Sequence, residues 1–114
     1  MKASTKKLFQ KIEDHKFDLI DKNLHIQELI VSLKDCLWNA DQICNEINYE
    51  NSKARILFEK SQDETILAFI TKNENYLAEF GEYEKFLKDR LNELEWKEEQ
   101  NSDEINRLEG MLKK

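Results

Sequence analysis

The chain has 114 residues, no proline and only two glycines, Gly81 and Gly110. Charged residues make up 37% and hydrophobic residues 39%, with a mean hydropathy of -0.79. This is the size of one small domain, and the scarcity of turn-forming residues argues against a sandwich, barrel or multi-stranded sheet. Long helices meet no proline that would break them.

The formal charge of -6 sits wholly in the second half. Residues 1–57 carry nine Lys/Arg and nine Asp/Glu, whereas residues 58–114 carry nine and fifteen. Such a balance argues against a nucleic-acid partner, which needs a basic surface that releases counterions. The one basic cluster, Lys2, Lys6, Lys7 and Lys11, reads as a solubilising tail and helix start. No apolar run approaches the roughly 18 residues of a membrane span, and the N-terminal residues lack the apolar core of a signal peptide. The expectation is a cytoplasmic protein without membrane insertion.

The first predicted element is a helix over about 5–59. Positions 9, 12, 16, 19, 23, 26, 30, 33, 37, 40, 44, 47, 51, 54, 58 and 61 alternate by three and four, and twelve of the sixteen are apolar. They form the a and d positions of a heptad repeat. Cys36 and Cys44 both fall on this helix, about 12 Å apart at 1.5 Å per residue and too far for a disulfide. They read as free thiols of a reducing compartment or as small apolar side chains.

A second stripe holds 66, 70, 73, 77, 80, 84, 87, 91, 94, 98, 101, 105, 108 and 112, with ten apolar residues of fourteen. It is out of phase with the first, so the helix breaks between them. Ser61-Gln62-Asp63-Glu64 has the S-x-x-E form of a capping box. The reading is a tight turn at about 60–61 and a second helix at about 62–111, with Gly110 fraying or capping its end. The alternative break is the weak helix former Asn48-Tyr49-Glu50-Asn51-Ser52.

Together these elements predict an all-α fold in a single domain over 1–114. It is an antiparallel, coiled-coil-like hairpin of two long helices that completes a bundle with a partner. Residue numbers facing one another should sum to about 121, which sets Asn23 near Glu98 and Asn101, and Asn51 near Asn73. Polar residues would then meet polar residues inside the seam, costing stability and fixing register.

One hairpin cannot cover every apolar face. Phe17, Leu24, Val31 and Trp38 recur every seven residues at heptad position b, with Ile20 on the same side. They lie about 100° around the helix from the seam. Burying such side chains is worth roughly 1.5–3 kcal/mol each, and an exposed apolar patch marks an interface. The second helix adds Phe69, Tyr76 and Tyr83, again at spacing seven, and the hairpin is expected to bring Trp38 close to Tyr83 and Phe86. These eight residues, Phe17, Ile20, Leu24, Val31, Trp38, Phe69, Tyr76 and Tyr83, are the predicted partner-binding set. A four-helix homodimer that buries the same lines internally is the alternative.

Catalytic chemistry is not expected. His15 and His25 form no ligand pair, His25 with Glu28 makes no metal site alone, and the thiols have no clustered basic partner. No phosphate loop or Ser/His/Asp constellation occurs, so neither a cofactor nor a metal is predicted. The stretch from Glu82 to Glu109 holds ten acids and five bases. It reads as a solvated helix face or, more sharply, as a docking surface for a basic partner.

A small acidic two-helix chain of this kind resembles the helical-hairpin proteins of type VII secretion in Gram-positive bacteria. These include the WXG family and the LXG-associated targeting factors. The segment FLKDRLNELEWKEEQNSDEINRLEGMLKK is similar in character to the second type of LXG-associated factor. The chain departs from the WXG pattern, which has Trp-x-Gly at the hairpin turn: it has Trp38-Asn39-Ala40, and the heptad runs straight through it. The family's aromatic-x-x-x-acid export signal usually lies late in the second helix; here the pattern falls elsewhere, at Phe9 with Glu13 near the start, Phe17 with Asp21 in the first helix and Phe80 with Glu84 in the middle of the second. The resemblance implies a non-enzymatic factor that binds the helical domain of an LXG toxin, alongside a second small helical protein. It would target the toxin for type VIIb secretion and be exported with it without a cleaved signal peptide. The other reading is a homo-oligomeric coiled-coil subunit of a phage or multiprotein assembly.

Overall fold

The computed structural model describes residues 2–113. They form α1 (Ala3–Ser61) and α2 (Glu64–Leu112), joined through Gln62 and Asp63. The fold is an all-α helical hairpin, as the two heptad stripes require. Of the thirty seam positions only Ser61 is exposed; the others are buried or half-buried. Burial with a period of 3.5 residues on both helices is the mark of a coiled-coil seam.

The turn lies two residues beyond the expected 60–61. Ser61 is the last residue of α1, and its hydroxyl donates back to the Leu57 carbonyl at 2.8 Å. The Ser61–Glu64 capping box therefore does not form. Gln62 takes a left-handed backbone, φ 57°, and its N–H donates to the Phe58 carbonyl at 2.7 Å. That single bond back to the third residue before the cap is the αL way of ending a helix. A left-handed non-glycine residue costs about 1–2 kcal/mol. The Gln62 amide offsets part of this by donating to the Phe58 and Glu59 carbonyls, both at 3.3 Å. Asp63 is the true N-cap of α2: its Oδ1 accepts from the Thr65 N–H at 2.9 Å and the Thr65 hydroxyl at 2.7 Å.

The alternative break at 48–52 is also overturned, since α1 runs through it. Asn51 is buried in the seam, and the Ser52 hydroxyl donates to the Asn48 carbonyl at 2.9 Å. Gly110 lies within α2 and does not cap it.

The chain divides into two compact units, residues 1–32 with 91–114 and residues 33–90. In the first, Ile12, Leu19 and Leu108 form a small core, closed by Phe9, Ile105 and Leu112. In the second, Ala40, Ala54, Ile70 and Leu87 are buried. Among the described residues no side chain falls below 2% exposure. Each unit has one layer of seam contacts and no deeper interior.

Candidate helix-binding faces

Each unit carries one asparagine layer inside its seam. In the first, Asn23 Nδ2 donates to the Glu98 carbonyl and to Ser102 Oγ, both at 3.2 Å, and Asn101 donates to Asn23 Oδ1 at 3.0 Å. In the second, Asn51 Nδ2 donates to the Ile70 carbonyl at 3.3 Å, and Asn73 donates to Asn51 Oδ1 at 2.8 Å. The expected pairings hold. In both layers the asparagine numbers sum to 124 and the asparagine–carbonyl numbers to 121. Each buried amide finds its partners, so the layers specify alignment without stranding a polar group.

Outside the seam, the b line of α1 is uncovered. In the first unit Phe17, Leu24 and Val31 are exposed, and Ile20 is half-buried beside the seam. Leu24 and Val31 line an open groove of about 450 Å³ with Gln27, Glu28 and Ser32. In the second unit Trp38 is 64% exposed, although tryptophan offers a large apolar area for burial. Lys16 lies over the Phe17 ring at 5.0 Å, partly shielding it.

The aromatic line of α2 lies in the second unit, and Phe69, Tyr76 and Tyr83 are all exposed. The expected meeting of Trp38 with Tyr83 and Phe86 is not what the structure shows. Trp38 borders a groove with Leu37, Asp41, Glu84 and Lys88. Tyr83 borders a different groove, of about 530 Å³, with Ile47, Tyr76, Glu79 and Phe80. Antiparallel geometry supplies the reason. Positions e face e and positions g face g across such a seam. Trp38 at b flanks the e edge, where Arg55 and Glu74 form an ion pair at 2.7 Å. Tyr83 at g lies on the opposite edge.

That second edge contains residues the predicted set omits. Ile43 and Leu57 of α1 are exposed at the same g position, and Leu57 lines a further groove with Glu50, Lys53, Ala54, Thr65, Ile66 and Phe69. The signal was present in the sequence: Leu29, Cys36, Ile43 and Leu57 fall on one seven-residue ladder. Only Glu50, the fourth of its five positions, interrupts it.

Cys36 is exposed and Cys44 half-buried, and both are free. Burial pushes the Cys44 thiol up, helped by its hydrogen bond to Glu84 Oε1 at 3.6 Å and by the charges of Glu84 and Asp41. Among the described residues no group of three or more His, Cys, Asp or Glu could hold a metal ion, and no helix is long and apolar enough to cross a membrane. Compared with known proteins, the chain matches no protein-family model, and no curated protein or solved structure is significantly similar to it.

Proposed function

We propose that this protein is a non-enzymatic binding factor that packs against the helical domain of a partner protein and completes a bundle with it. On the resemblance to type VII secretion hairpins, that partner is a secreted LXG toxin, which the factor accompanies to the secretion machine. The observation that carries the reading is the exposure of Phe17, Leu24, Val31 and Trp38, one per heptad on α1. A regular apolar ladder is what a neighbouring helix buries.

Co-expression with the N-terminal helical domain of an LXG toxin tests the proposal. A stable heteromer is expected on size exclusion with light scattering. The double substitution Val31→Asp and Trp38→Asp should abolish it while circular dichroism shows the helix content unchanged. A homodimer that ignores the toxin domain, and survives the double substitution, would falsify the reading.

A further inference from the structure

We infer that the edge of the second unit opposite Trp38 is a dimer interface, and that its occupant is a second copy of this chain lying end for end. The inference does not depend on the toxin assignment, which rests on the b line of α1. Four charges beside the apolar g positions carry it. Glu46 and Lys53 hold successive c positions of α1, and Lys72 and Glu79 hold successive c positions of α2. Position c neighbours g on the side away from the seam. Lys53 borders one groove of this edge with Leu57 and Phe69, and Glu79 borders another with Tyr76 and Tyr83. The numbers of Lys53 and Lys72 sum to 125, as do those of Glu46 and Glu79, one more than the bonded Asn51 and Asn73 of the same unit. Each pair therefore stands level across the hairpin. The edge has a basic pair on the side of the turn and an acidic pair one heptad further away, about 10 Å at 1.5 Å per residue. Among the described residues none of the four forms an ion pair within the chain.

An edge that is basic at one end and acidic at the other is its own complement when reversed. In a two-fold pair that stacks α1 on α1 and α2 on α2, Lys53 meets the partner's Glu46 and Lys72 meets the partner's Glu79. The same reversal sets Leu57 on the partner's Ile43 and Phe69 on the partner's Tyr83, so apolar residues meet apolar ones. Stacking in the same direction would set lysine on lysine and glutamate on glutamate. A partner of one sign throughout, an anionic lipid surface included, would meet one pair of its own sign. The patch is large enough. Phe69, Tyr76, Tyr83 and Phe86 are between 42% and 66% exposed, which leaves about 400 Å² of aromatic surface open per copy. With Ile43 and Leu57 added, two copies offer about 1,000 Å², the least a specific interface needs. Glu50 is the residue that opposes the arrangement. It falls at the midpoint of Glu46 and Lys53, so it meets its own copy at the two-fold axis.

Sedimentation of the intact protein over a range of concentrations is the test, and a dimer is expected. Lys53→Glu with Lys72→Glu makes the four charges all acidic, and Glu46→Lys with Glu79→Lys makes them all basic. Each double variant alone should dimerise about tenfold more weakly or worse. Mixed in equal amounts, the two should form a heterodimer at least as tight as the parent dimer, which also shows that both are folded. Glu50→Gln should tighten the parent dimer several-fold, because it removes the like charges at the axis. Val31→Asp with Trp38→Asp should leave the dimer intact. A monomer at concentrations up to about 1 mM overturns the inference, as do double variants that dimerise like the parent or stay apart when mixed. So does a Glu50→Gln dimer no tighter than the parent, or loss of the dimer in the α1 double variant. A dimer that meets every expectation yet binds no toxin domain would sink the toxin assignment alone.

Discussion

Cys44 holds a seam position where a small apolar side chain was expected, yet its sulfur donates to the Glu84 carboxylate from the facing helix. Burial and that carboxylate both favour the protonated thiol, so its pKa lies above the ordinary value. A group whose folded pKa is raised stabilises the fold below its unfolded pKa, and the contribution is lost as pH rises through the folded value. Reactivity should follow thiolate fraction and exposure. At about pH 8, near the ordinary thiol range, a maleimide or iodoacetamide time course should show two phases, with exposed Cys36 fast and Cys44 several-fold slower. Cys36→Ser should leave only the slow phase, and Glu84→Gln should speed it. A single phase shared by both thiols is the outcome that contradicts this. Both seam positions were visible in the heptad count. Their pairing was not, because it depends on how far one helix is slid along the other.

Among the elements, the helices were legible almost to their ends and the turn was not. A period of 3.5 sustained over sixteen and then fourteen positions leaves no other regular structure. At the break, however, Ser61-x-x-Glu64 and Asp63-x-Thr65 are both acceptable helix starts. The chain uses the second, because Ser61 is still bonded into α1 and Gln62 makes the left-handed reversal. The Asp63 carboxylate is held below the usual range, first by the Thr65 hydroxyl and then by the Thr65 N–H. A depressed folded pKa gives stability that is present above the unfolded pKa and lost as pH falls through the folded one. Asp63→Ala should therefore lower the melting temperature at neutral pH, and the gap to the parent should close below the ordinary carboxylate range. Asp63→Asn, a competent cap without a titrating proton, should keep its stability across that range. A gap independent of pH in thermal melts would remove the carboxylate from the account.

For the molecule as a whole, two asparagine layers state the same alignment. Asn23 and Asn51 are 28 residues apart on α1, and Asn73 and Asn101 are 28 apart on α2. A slide of one heptad would separate each asparagine from its carbonyl and amide partners and leave buried polar groups unpaired, at a cost of about 1–3 kcal/mol each. Replacing all four asparagines, Asn23, Asn51, Asn73 and Asn101, by Leu should raise the melting temperature, since an apolar seam that strands no polar partner is commonly more stable by about 1–4 kcal/mol. Specificity should fall at the same time. The two tryptophans, Trp38 and Trp96, provide the readout: two indole N–H signals in the parent, more than two in the variant as registers mix. A less stable variant with two sharp signals would mean that the layers contribute bonding and no alignment.

By itself the sequence determined the fold class, the seam on each helix, the asparagine pairings and the apolar ladder on α1. All of these are periodic, and period survives without coordinates. The tertiary structure decided where the chain reverses, that Cys44 answers Glu84, and that Trp38 and Tyr83 belong to opposite edges of the second unit. Those facts turn on which side of a helix meets its neighbour. That is set by the antiparallel sense and the offset of two helices, and a single chain of letters read for spacing does not contain that offset.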